Sequence, residues 1–143
     1  MTTPLLRLTV PALAAGLMLV SAFASTRSAG AAETKDGPKL AHSVFFTLKD
    51  RSASAREKFV ASCHKYLSGH PGVVSFEVGT IAEDVVEPGV SVRDFDVSLL
   101  LVFDDKAAEA KYLKDPRHVK FVDENKALFE KVRVFDTYLT KKP

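Results

Sequence analysis

Tryptophan is absent from the sequence, methionine occurs twice and cysteine once. The single thiol, Cys63, excludes an internal disulfide and a Cys-cluster zinc site, so the fold must hold by its packed core. A charge excess of either sign is also missing: 20 Lys and Arg oppose 18 Asp and Glu, a formal charge of +2. That is far from the basic footprint needed to bind phosphate backbones, and nucleic acid is not an expected partner. The histidines His42, His64, His70 and His118 show none of the close paired spacing of a zinc site, so no metal is expected. Phenylalanine is what the chain does have. Ten Phe in 143 residues, with 46% hydrophobic and 27% charged side chains, indicate one compact domain with a phenylalanine-rich core.

Residues 5–23 (LLRLTVPALAAGLMLVSAF) place one charge, Arg7, ahead of a long apolar stretch, and the small-residue site Ala22-Phe23-Ala24 follows. This is the layout of a secretory signal peptide over residues 1–24, with cleavage as late as residue 32 if Ala29-Gly30-Ala31 is used. A membrane anchor over residues 8–24 is the competing reading, weakened by Pro11 and the small residues. Soluble export, periplasmic or secreted, is the expectation, with no membrane association after signal removal. Residues 25–39 read as a flexible leader, 40–139 as the domain and 140–143 as a tail.

Within the domain, Leu40–Leu48 is rich in β-formers and reads as a first strand with His42, Val44, Phe46 and Leu48 on one face. Ser54-Ala55-Arg56-Glu57 has the form of a capping box, predicting a helix that buries Phe59, Val60, Cys63 and Leu67 and stops at Gly69 and Pro71. Val73–Thr80 reads as a second strand, and residues 83–93 as an exposed connection, with Glu83, Asp84, Glu87, Arg93 and Asp94 read as the charges of a solvated loop. Phe95–Phe103 reads as a third strand, apolar on both faces at residues 99–102 and therefore central. Asp104 or Asp105 can cap a helix over Lys106–Lys114, and Asp115-Pro116 restarts one carrying Val119, Val122 and Phe129. Val132–Leu139 closes the domain as a fourth strand.

The order β-α-β-β-α-β predicts an α+β, ferredoxin-like fold: a four-stranded antiparallel sheet with its helices on one face. The other face would expose residues drawn from Val44, Phe46, Phe95 or Val97 and Leu99. Leaving several such side chains wet forfeits many kcal/mol at roughly 25 cal/mol per Å², so a second copy is the expected cover.

The opening strand AHSVFFTLKD, the strand FDVSLLLVFDD and the run Tyr112-Leu113-Lys114-Asp115-Pro116-Arg117-His118 followed by Phe121 resemble the stress-responsive A/B barrel (Dabb) domain. The resemblance covers about residues 40–139 and implies two copies packed sheet to sheet as a dimeric α+β barrel. A plant polyketide cyclase of this family implies acid–base roles for Tyr112 and His118, and a site position for His42 on the first strand. Two further polar positions do not carry over, since Cys63 and Val97 stand in their places. Asp115 stands where many members have a second His before the proline.

The resulting expectation is an exported homodimer that holds a small apolar ligand against His42, Tyr112, His118 and Phe121, with no assigned catalysis. The alternative is a cofactor-free enzyme, cyclase-like or monooxygenase-like, in which Tyr112 and His118 are catalytic. Imidazole suits that role because it titrates near neutral pH and can both take and return a proton. Each residue also has a plain structural reading. His118 could bond a neighbouring carboxylate, Tyr112 could be a core aromatic, and His42 could be a satisfied core histidine among Val44 and Phe46. Cys63, on the apolar helix stripe, reads as a small hydrophobe.

Overall fold

The computed structural model describes residues 37–140; the expected signal segment, most of the leader and the last three residues lie outside them. The described chain runs β1 (Leu40–Leu48), α1 (Ala53–Leu67), β2 (Val73–Thr80), β3 (Val97–Phe103), α2 (Lys106–Tyr112), α3 (Pro116–Asn125), a 3-10 turn (Lys126–Leu128) and β4 (Phe129–Tyr138). The strands form one antiparallel sheet in the order β2-β3-β1-β4, open at both edges. This is the ferredoxin-like plan, with its second helix split in two. No helix among the described residues is long and apolar enough to cross a membrane.

Local chemistry explains the boundaries. α1 starts two residues before the box at Ser54 because Ser52 is the N-cap: its Oγ accepts the Ala55 N–H at 3.2 Å, while Asp50 accepts the Ser52 N–H at 2.9 Å. α2 is capped by Asp105, whose Oδ1 accepts the Ala108 N–H at 2.7 Å, and it ends at Tyr112 rather than Lys114. The cause is Pro116, which disfavours a helical residue before it, so Asp115 becomes extended and caps α3 through the Arg117 N–H at 2.8 Å. α3 buries Phe121 and Asn125, while Val119 and Val122 are exposed and Phe129 already belongs to β4. β4 begins three residues earlier than Val132 because Phe129 pairs with Leu48 beyond a register shift in β1.

The core is phenylalanine-rich. Phe46 lies 4.8 Å from Phe59 and 5.2 Å from Phe129, and Phe59 lies 5.7 Å from Phe121, ring centre to ring centre. In β1, His42, Val44, Phe46 and Leu48 share one face as expected, but it is the face toward the helices, and in β3 Val97, Leu99, Leu101 and Phe103 join them there, all buried. This corrects the assignment of Val44, Phe46, Val97 and Leu99 to the uncovered face: pairing Val44 with Leu99 and Phe46 with Val97 puts all four on the helix side. The uncovered face carries Phe45, Leu100, Val102 and Phe135 instead. Phe45 stacks edge-on with Phe95 at 5.0 Å and Phe135 at 5.8 Å, and Phe135 is 54% exposed.

The connection between β2 and β3 is anchored as well as solvated. Asp96 is fully buried and accepts from the Leu48 N–H at 2.9 Å and from Arg51 and Arg56, each at 3.1 Å. Arg56 also pairs with Glu83 at 2.6 Å, and Arg93 donates to the carbonyls of Ala82, Glu83 and Val85. Asp94 is held by Arg133 at 2.6 Å and Lys131 at 3.5 Å. Glu83, read from sequence as a solvated charge, therefore ties the loop to α1, and Asp94 and Asp96 at its end tie it to β4 and β1.

Candidate functional site

The Asp115-Pro116 break turns the chain so that Tyr112, at the end of α2, and His118, in the first turn of α3, face each other. Their ring centres are 4.6 Å apart. Tyr112 is only 3% exposed and has three further ring neighbours: His70 at 4.9 Å, Phe103 at 5.2 Å and His42 at 6.4 Å. Three of the four histidines thus gather around one phenol, although they come from separate elements. His64 is exposed and stands against Phe76 instead. Among the described residues no group of three or more His, Cys, Asp or Glu side chains is placed to hold a metal ion.

Strand register supplies a partner that sequence spacing did not reveal. β1 pairs His42 with Asp136 of β4, and His42 Nδ1 lies 2.7 Å from Asp136 Oδ1. A carboxylate only accepts, so Nδ1 carries the proton, and Nε2 is the nitrogen left with a lone pair in the neutral ring. His118 is fixed the same way: its Nδ1 is 3.1 Å from the Leu113 carbonyl and must donate, leaving Nε2 bare. Burial, together with the neighbouring His42 and His70, pushes the His118 pKa down, although its bond to Leu113 acts in the other direction. His118 is therefore poised as a neutral base.

Burial raises the Tyr112 pKa, with Cys63 adding to the effect, so the phenol stays protonated and can donate. The Cys63 thiol, fully buried, is pushed up to about 12 by burial, which removes it as a nucleophile at neutral pH. His70 has a side chain only 1% exposed; its Nε2 is 2.9 Å from the Tyr66 carbonyl, and its Nδ1 is 3.4 Å from Asp115 Oδ2. Asp115 itself is held below the usual carboxylate range, first by the Arg117 backbone N–H and also by His70.

Of the residues singled out from sequence, His42, Tyr112 and His118 come together, while Phe121 packs in the core against Phe46 and Phe59. Sequence reasoning passed over His70 and Asp136. The available signal was Asp136, a lone acid on the helix-facing alternation Val132, Val134, Asp136, Tyr138 of a β-branched strand. The cluster meets solvent through half-buried His118 and through Asp136, whose side chain is 49% exposed. Cavities of about 420 Å³ beside Lys49, Lys58 and Leu128, about 450 Å³ beside Arg51 and Arg93, and about 230 Å³ on the uncovered face beside Phe45 and Phe135 lie elsewhere.

No curated protein matches the sequence. Among solved structures, a Dabb family protein with a ferredoxin-like fold from Mesorhizobium loti is similar at 31% identity and a TM-score of 0.60, covering 73% of this chain and 99% of that one. A dimeric ferredoxin-like protein of unknown function from Thermobifida fusca shares the fold at 14% identity and a TM-score of 0.58, over 73% and 93% of the two chains. So does SnoaB, a cofactor-independent oxygenase from Streptomyces nogalater, at 14% identity and a TM-score of 0.56, over 73% and 96%. Residues 40–139 match the family described as the stress responsive A/B barrel domain, and the chain belongs to that family, Dabb.

Proposed function

We propose that the protein is an exported homodimer that uses the Tyr112 cluster to move protons on a small, largely apolar ligand, without a cofactor. The observation that carries this reading is the bond from His42 Nδ1 to Asp136 at 2.7 Å. A core histidine needs only a satisfied proton. Here the carboxylate fixes the tautomer of one ring and the Leu113 carbonyl fixes that of another. Two lone-pair nitrogens are thereby assigned on rings that neighbour a protonated phenol. Solved relatives of the same fold include a cofactor-independent oxygenase and a dimeric protein, in keeping with cofactor-free chemistry in a paired domain.

In this reading His118 takes a proton from the ligand, Tyr112 donates to the oxygen where charge develops, and His42, held by Asp136, serves as the second base. The ligand enters from the side of His118 and Asp136, where the cluster is open. Polyketide ring closure is not expected, because Cys63 and Val97 are both fully buried in the apolar core. A second reading, holding of a ligand without turnover, is favoured by the 3% exposure of Tyr112. Purification from the native host without denaturation, followed by native mass spectrometry, tests the proposal. A small molecule should travel with wild type and be lost or left unconverted in Tyr112→Phe; a ligand-free wild type that also ignores candidate carbonyl compounds contradicts both readings.

A further inference from the structure

The cavity of about 420 Å³ lies where the end of β1, the start of α1 and the 3-10 turn meet. Along β1 it is about 20 Å from His42 at the rise of a strand, and it shares no lining residue with the Tyr112 cluster. Its walls are tied together. The Lys49 N–H donates to the Leu128 carbonyl at 3.0 Å and Lys49 Nζ to the Ala127 carbonyl at 2.9 Å, which fasten the turn to β1. Leu48 and Phe59, both buried, and Leu128 give it an apolar side. Asn125, only 5% exposed, gives it a buried polar one. The Asn125 amide nitrogen donates to the Phe121 carbonyl at 2.8 Å and to Ser62 Oγ at 3.0 Å. A carbonyl only accepts, so the orientation of the amide is fixed and both its protons are committed. Oδ1 is then what Asn125 has to offer a ligand, and no described residue donates to it.

We propose that this cavity is a second ligand site, separate from the Tyr112 cluster, that takes a small hydroxy acid. The carboxylate lies at the mouth with Lys58 and Lys49, the apolar body lies against Leu48, Phe59 and Leu128, and the hydroxyl donates to Asn125 Oδ1. Each part answers a group on the wall. Lys58 is exposed and makes no ion pair with a described residue, and the bond from Lys49 to a carbonyl leaves the Lys49 charge unneutralised. Asp50 is the one carboxylate among the lining residues, and it is turned to the Ser52 N–H at 2.9 Å. Two ammonium groups against one carboxylate favour an anion, and α1 begins beside the cavity with no acid in its first turn to use up its positive end. A purely apolar ligand would bury Asn125 Oδ1 without a donor, which costs about 1–3 kcal/mol for an acceptor taken from water. The volume is near the lower end of ligand sites, which limits the guest to a small molecule.

The test uses the full chain and four probes: para-hydroxybenzoate, para-hydroxyphenylacetate, para-hydroxyphenylpropanoate and omega-hydroxyoctanoate. Each is compared with its counterpart lacking the hydroxyl and its counterpart with an amide in place of the carboxylate. Calorimetry gives the affinities, and backbone amide shifts in ¹⁵N-labelled protein give the place. At least one hydroxy acid should bind and should move the signals of Lys49, Ser52, Ala55 and Ala127 while leaving those of Tyr112 and His118 in place. Loss of the probe's hydroxyl should weaken binding about tenfold, because a buried acceptor loses its donor. That comparison tests Asn125 without altering a buried residue. Lys58→Gln, an exposed change that the fold should survive, should weaken the acid about threefold and leave the amide counterpart unaffected. Shifts gathered at Tyr112 and His118 overturn the proposal, as do affinities indifferent to the hydroxyl, or indifferent to both the carboxylate and Lys58. Absence of binding by all four probes at millimolar concentration overturns it as well.

Discussion

Tyr112 is the residue on which the site turns, and its hydroxyl can be removed without removing its ring. Tyr112→Phe keeps the contacts with His118, His70 and Phe103, so stability should change by no more than about 1 kcal/mol while ligand conversion is lost; thermal melting beside a turnover assay checks both. His118 predicts a pH effect. Its folded pKa lies below the ordinary 6.5, so the unfolded chain binds the proton more readily, and this contribution to stability is present above about pH 6.5 and lost as pH falls through the folded value. Urea midpoints measured from pH 7.5 to 5 should fall, and fall less in His118→Gln. Tyr112, His118 and His42 were singled out in the sequence through the family resemblance that the Tyr-x-x-x-Pro-x-His run and the opening strand carry. The places of Asp136 and His70 beside them could not be read there, because they depend on what stands opposite: a strand register 94 residues apart for Asp136, and a loop folded under α2 for His70.

The break between α2 and α3 is what makes two residues six positions apart into neighbours. Asp115 caps α3, so Asp115→Ala should cost about 1 kcal/mol or more from the lost cap alone, whereas Asp115→Asn, itself a good cap, should cost less by that route. Chemical denaturation of the pair separates the two. The close approach of the turn before β2 to α2 makes a second prediction. Gly72 has φ +82°, and a Cβ there would lie 2.6 Å from Ala108 Cβ, so Gly72→Ala should destabilise by about 1–3 kcal/mol and loosen α2 beneath Tyr112. The elements themselves were legible because β1, β2 and the Asp-Pro restart have strong local signals. The start of α1 was not, since Ser52 and Ser54 offer the same cap chemistry and only Asp50, bonded to the Ser52 N–H, separates them.

At the scale of the molecule, one sheet face is covered by helices and the other presents Phe45, Leu100, Val102 and Phe135. The need for cover was evident from two-faced apolar strands, but which residues lie on which face depends on register, and a one-residue offset reverses every assignment. The interface variant is therefore Phe135→Asp, not Val97 or Leu99. Phe135 is 54% exposed in the single chain, so the fold should survive while the pair does not, and light scattering should give a monomer mass for the variant and a dimer mass for wild type. An unchanged mass would place the interface elsewhere. Export is tested separately, by N-terminal sequencing of material outside the cytoplasm, which should begin between Ser25 and Glu33. The most direct test of the central claim, that the Tyr112 cluster moves protons, is solvent deuterium incorporation into the co-purifying ligand. Wild type should label the ligand faster than buffer does, and Tyr112→Phe and His118→Gln, each still folded, should slow labelling by about 10²-fold or more. Equal labelling in wild type and in both variants would contradict it.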